Sequence, residues 1–95
     1  MAHADAPAPY RSTPVFDETS LPAPLRARHD TKAGVWGVIE VTAGEVCLTY
    51  LDPLAEIVLS PGNPGLVHPG QAHFVTPLGP MSMQVHFYHQ PPTGC

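Results

Sequence analysis

Proline and glycine set the strongest limit on what this chain can fold into. The sequence contains 13 prolines and 8 glycines among 95 residues, so a residue that interrupts a regular helix occurs about once in every five positions. Proline in a helix interior removes a hydrogen bond and clashes with the preceding turn. Long helices are therefore all but excluded, and the chain must form short elements that are joined by turns.

Short apolar runs between these turns indicate β-strands. They recur at spacings of about ten residues, which favours an all-β sandwich or barrel over a sheet with crossover helices. Residues 17–28 carry the one helix signal, and Pro22 and Pro24 limit it to a turn or two. The predicted strands cover residues 11–16, 35–41, 46–51, 56–60, 66–68, 73–76 and 81–89.

The length and the charge of the chain limit the partners that it can have. A chain this short is one domain with a modest core, so a homodimer that covers a free sheet edge is expected. Four Lys and Arg residues and a net charge of −4 cannot form the basic stripe of a nucleic-acid-binding protein. No apolar run approaches the ~20 residues that cross a bilayer, and the start of the chain lacks a signal peptide, so we expect a cytoplasmic protein without a membrane partner.

The last predicted strand has two different faces. Alternation places Val85 and Phe87 on an apolar side and Gln84, His86 and Tyr88 on the other. A histidine between a glutamine and a tyrosine predicts that this second side lines a polar cavity.

A glycine- and proline-rich turn precedes His73. Gly62, Gly70 and His73 fall at the offsets of the second cupin signature, which this segment resembles. The turn is expected to deliver His73 to the start of a strand, with its ring inside a barrel.

A larger part of the chain, from about residue 10 to residue 88, resembles the small cupins of the tellurite-resistance family. The matching residues include 10–16, 28–37 and 77–79, together with His73, Phe87 and Tyr88. The resemblance implies an all-β, cupin-type jelly-roll barrel at residues 10–89. An Ala/Pro-rich tail at 1–9 is expected to be flexible, and a C-terminal tail follows at 90–95.

The resemblance also implies one divalent metal per chain, held by His29, His73 and the residue that directly precedes Phe87 and Tyr88. That last position tends to be acidic in the family and is His86 here, so a three-histidine site is expected. Imidazoles bind Zn, Fe, Ni, Cu or Mn, of which Zn and Fe are favoured here. Loss of the carboxylate makes the site more positive and favours an anionic guest. The expected partner is therefore a small-molecule or oxyanion ligand.

Other residues are assigned supporting roles. His68 is an alternative ligand or part of the cavity rim. Gln84, Tyr50 and Tyr88 are candidates to orient the metal ligands, and Lys32 is a candidate to attract an anion.

Three functions remain open at this stage. The first is a metal-binding module for tolerance to tellurite or a related chemical stress. The second is a metal-dependent enzyme of oxygenase, hydrolase or lyase type, with an open coordination position for a small anionic or chelating substrate. The third is a structural domain whose histidines meet by coincidence.

Overall fold

The computed structural model describes residues 8–92 and contains nine strands and one helical turn. Most predicted strands are confirmed to within two residues. Two differences stand out. The predicted strand at 11–16 is divided in two around Pro14, and a short strand at His29–Asp30 was not predicted. The elements are β1 (Arg11–Ser12), β2 (Phe16–Asp17), α1 (Ala23–Arg26), β3 (His29–Asp30), β4 (Trp36–Ala43), β5 (Val46–Leu51), β6 (Leu54–Leu59), β7 (Gly65–Val67), β8 (Ala72–Pro77) and β9 (Ser82–Tyr88).

The strands form two antiparallel sheets. Sheet I has the order β1-β9-β4-β7, with β2 also paired to β9, and sheet II has the order β3-β8-β5-β6. The predicted all-β character is confirmed. The predicted closed barrel is not found among residues 8–92, where the strands divide into two separate sheets.

The core lies between the two sheets. Alternate side chains of β4, including Ile39 and Val41, point inward, as do Met83 and Val85 of β9. Val46, Leu48 and Leu59 of sheet II pack on the same cluster and are fully buried. Burying each of these side chains stabilises the fold by about 1.5–3 kcal/mol, and the period-two alternation of the strands is what directs them into the core.

Side-chain hydrogen bonds stabilise the turn that follows β2. The Asp17 carboxylate accepts bonds from the Thr19 hydroxyl and from the backbone amides of Thr19 and Ser20, at 2.8–2.9 Å. These bonds, that from the Thr19 hydroxyl above all, lower the pKa of Asp17 to about 2. The helical turn α1 begins after Pro22 and carries no side-chain cap, in keeping with the prolines that limit it.

All nine strands lie within residues 10–89, the predicted bounds of the domain. Residues 1–7 and 93–95 of the predicted tails lie outside the described residues. The homodimer stays a prediction, for which the free edge strand β6, with its exposed Leu54, Ile57 and Val58, is the natural contact. Between residues 8 and 92, no helix is long and apolar enough to cross a membrane.

Candidate ligand-binding site

A cavity of about 170 Å³ opens between the two sheets. Strands β4, β7 and β9 of sheet I supply an apolar wall, and the polar lining groups come from β3, the residues after it, β8 and the segment around β1. The lining residues are Tyr10, Arg11, Leu25, His29, Thr31, Lys32, Val35, Gly37, Ile39, Val67, His73, Val75, Met83, Val85 and Phe87.

Two of the three predicted metal ligands meet in this cavity. His29 in β3 and His73 in β8 are directly opposite each other in the antiparallel register. Their ring centroids are 5.5 Å apart, and the rings are nearly perpendicular, at 82°. Because side chains of directly opposed residues lie on the same face of a sheet, the short pairing of β3 with β8 is what brings the two imidazoles together.

Thr31 adds a third polar group beside the histidines. It follows His29 by two residues, which returns its side chain to the cavity side of the chain. The residue is 7% exposed, and its hydroxyl has no hydrogen-bond partner in the described part of the chain. A buried hydroxyl without a partner costs about 1–3 kcal/mol, so a hydrogen bond from a ligand or an ordered water in the adjoining cavity would stabilise the site.

The protonation of His73 follows from its surroundings. Its Nδ1 lies 2.8 Å from the backbone carbonyl oxygen of Gln71, and since a carbonyl can only accept, Nδ1 must donate. Burial lowers the pKa of His73 below its ordinary 6.5, and the neighbouring His29 acts in the same direction. The neutral ring therefore carries its lone pair on Nε2.

The buried His73 predicts a pH-dependent stability. Because the unfolded chain takes up this proton at higher pH than the folded protein, the free energy of unfolding should be greatest above pH 6.5 and decrease as the pH falls below that value. Denaturant unfolding at about pH 8 and about pH 5.5 measures the effect. The variant His73→Gln should lose this part of the pH dependence, and the exposed-site control His68→Gln should keep it. Equal pH dependence in wild type and His73→Gln would contradict the prediction.

Charged and aromatic groups surround the open side of the cavity. Lys32, Arg11 and Tyr10 line it and are exposed to solvent. The Arg11 guanidinium lies 5.7 Å from the centre of the Phe87 ring, a cation–π contact that holds the arginine over the cavity mouth. Lys32, which the sequence made a candidate to attract an anion, lines the same cavity.

His86 lies on the opposite face of sheet I, away from the other two histidines. Its Nδ1 is 2.7 Å from the Ser12 hydroxyl, and its Nε2 is 2.9 Å from the Glu40 carboxylate. The faces of β9 alternate as predicted, and the apolar Val85 side faces the core. A surface cleft lies on the His86 side, lined by Glu40, Ser60, His86 and Tyr88 among others, but it is separate from the cavity that contains His29 and His73.

The structure thus gives the three-histidine metal site no support. No group of three His, Cys, Asp or Glu residues in the stretch from residue 8 to residue 92 is arranged to hold a metal ion. His29 and His73 supply two donors, fewer than the three or four protein ligands that a zinc site normally uses.

The remaining predicted site residues lie around the cavity or on the outer surface. The Tyr50 hydroxyl donates to the Leu66 carbonyl at 2.6 Å and joins the two sheets, and burial raises its pKa. Gln84 donates to the Thr13 carbonyl, and Tyr88 lies in a surface cleft with Glu40 and His86. His68 is exposed, with its ring 4.9 Å from that of Trp36.

Sequence reasoning missed Thr31 and Arg11. Thr31 had a usable signal, because a strand that begins at His29 places residues 29 and 31 on one side. Arg11 had none, since its place at the cavity depends on the pairing of β1 with β9, in which Arg11 is opposite Phe87, far along the chain.

Two antiparallel sheets with a cavity between them define a small all-β domain. Residues 11–85 match the family described as TehB-like domain. The chain belongs to this family.

Two solved structures are similar to the chain. A protein from E. coli strain K12 has a TM-score of 0.79 at 21% identity, over 88% of this chain and 91% of that one. TehB from Haemophilus influenzae also has a TM-score of 0.79, at 25% identity, over 90% of this chain but 32% of TehB. This chain therefore corresponds to only part of the length of TehB. No curated protein matches it.

Proposed function

We propose that this domain binds a small ligand in the cavity between its sheets, as part of tolerance to tellurite. The observation that carries the proposal is the unpartnered, buried hydroxyl of Thr31 beside His29 and His73. Buried polar atoms are nearly always hydrogen-bonded, so this hydroxyl is expected to bond an ordered water or a ligand in the adjoining cavity.

The connection to tellurite comes from the family. The chain belongs to the TehB-like domain family, and its fold is similar to that of TehB. Lys32 and Arg11 at the cavity mouth give the entrance positive charge on a chain whose net charge is −4. Local positive charge at an entrance raises the concentration of anions there, which supports binding of an oxyanion such as tellurite.

A cupin-type jelly roll is the architecture we infer for the domain. The sheet orders β1-β9-β4-β7 and β3-β8-β5-β6 interleave the first and last strands of the chain, as a jelly roll of two packed sheets requires. This interleaving supports the resemblance to cupins.

A divalent metal at His29 and His73 is the second candidate. The facing rings 5.5 Å apart favour it, and the ligand or water would have to provide the remaining donors. A metal-dependent enzyme would also need additional metal ligands beyond His29 and His73, so ligand binding is the better supported function.

Nuclear magnetic resonance of the histidine rings tests the proposal. Potassium tellurite is titrated into protein with Cys47 and Cys95 replaced by serine, because tellurite oxidises thiols. We expect saturable shifts of the His29 and His73 signals and none of His86, which lies on the other face of sheet I. A parallel titration with Zn²⁺ tests the second candidate.

A matched pair of variants completes that experiment. His73→Phe should abolish the response to tellurite, and His68→Phe should retain it, since His68 is exposed and does not line the cavity. Unchanged ring signals at His29 and His73, or equal shifts in all histidines, would contradict binding in the cavity.

A further inference from the structure

We propose that the cavity binds a small organic molecule with an apolar body and one head group that carries an O–H, and binds it more tightly than a bare oxyanion such as tellurite. This inference rests on the proposed binding function and names the class of ligand. The head group is assigned to Thr31 and His73, and the body to the apolar wall formed by sheet I.

The lining of the cavity argues against a bare oxyanion as the best ligand. Ile39, Met83 and Val85 on the sheet I wall offer no hydrogen-bond donor. An ion removed from water needs donors around its whole surface, and burial without them is strongly unfavourable. An apolar body instead gains free energy from contact with the same wall.

The volume of the cavity sets the size of the ligand. An engineered apolar cavity of about 150 Å³ accommodates benzene, and the cavity here measures about 170 Å³. A ligand of about six or seven non-hydrogen atoms therefore fills it.

The two buried polar groups define the head. His73 presents a lone pair on Nε2, because its Nδ1 donates to the Gln71 carbonyl, so the ligand must bring a hydrogen to this atom. The Thr31 hydroxyl can donate to or accept from the same head. An alcohol and an undissociated carboxylic acid share this O–H chemistry, and the experiment separates them.

Binding of a homologous series tests the inference. Linear 1-alkanols from propanol to octanol are titrated by NMR while the His73 signal is observed, with carboxylates of equal length and potassium tellurite in parallel. Affinity should rise about fourfold per methylene and stop rising when the cavity is full, at about six carbons. A matching rise with the carboxylates, stronger at low pH, would identify the acid as the O–H source.

A pair of threonine variants tests the head group. Thr31→Val should weaken alkanol binding about tenfold without lowering the unfolding midpoint, because the hydroxyl that it removes has no partner in the described residues. Thr49→Val is the control, since Thr49 is also buried, at 3% exposure, but does not line the cavity, and it should leave binding unchanged.

The outcomes separate the two proposals. Tellurite binding at His73 without any chain-length dependence of the alkanols and carboxylates would overturn this inference and leave the proposed function intact. Failure of every probe to shift His73 would overturn both. Wild-type affinity in Thr31→Val would overturn the assignment of the head group.

Discussion

Replacing Gly44 with alanine is expected to destabilise the domain by about 3 kcal/mol or more. Gly44 joins β4 to β5 with a φ of 72°, a conformation that side chains with a Cβ adopt at a cost of about 1–2 kcal/mol. A Cβ at this position would also lie 2.2 Å from the Pro80 carbonyl oxygen and 2.9 Å from the Met81 Cα. The backbone of the segment before β9 would have to move, and equilibrium denaturation measures the loss.

Gly34 provides the matched control for this prediction. Its φ is 77°, but a Cβ there would meet nothing within 4 Å. Gly34→Ala should therefore cost only the conformational penalty of about 1–2 kcal/mol. Equal losses in the two variants would show that the close approach at Pro80 contributes nothing to stability.

Filling the cavity from Gly37 is expected to abolish ligand binding while the fold is retained. Gly37 lies in β4, lines the cavity, and would place a Cβ 3.8 Å from the Val67 Cβ, an ordinary contact distance. The side chain of Gly37→Leu should occupy the space of the ligand body, so alkanol affinity should fall by at least about a hundredfold. Titration by NMR, with the far-ultraviolet circular dichroism spectrum as a check of the fold, gives the answer.

Val38 is the neighbouring control on the other face of the same strand. Val38→Leu adds one methylene outside the cavity, beside the surface cleft that contains His86. It should leave alkanol affinity unchanged. Full binding by Gly37→Leu would mean that the ligand lies elsewhere.

Local sequence pattern predicted most of the strands because their apolar residues alternate over six to eight positions. β5 (Val46–Leu51) was predicted with both boundaries correct, since turn residues flank a β-prone run in which Val46, Leu48 and Tyr50 alternate with their neighbours. The two-residue strands β1 and β3 depend on β9 and β8 for their pairing, and so short a stretch has no period of its own.

The candidate site was predicted in part for the same reason. The glycine- and proline-rich turn located His73, and strand alternation separated the two faces of β9. The buried Val85 side of β9 was also predicted. His86 was assigned to the metal site by the family resemblance, although its position in the alternation places it on the other face, where its partners are Ser12 and Glu40.

A crystal structure of the domain with 1-hexanol bound tests the cavity site most directly. We predict electron density for one molecule between the sheets, with its hydroxyl within hydrogen-bond distance of Thr31 Oγ1 and His73 Nε2 and its chain against Ile39 and Val85. An empty cavity at a saturating alkanol concentration, or alkanol bound on the outer face beside His86, would contradict it.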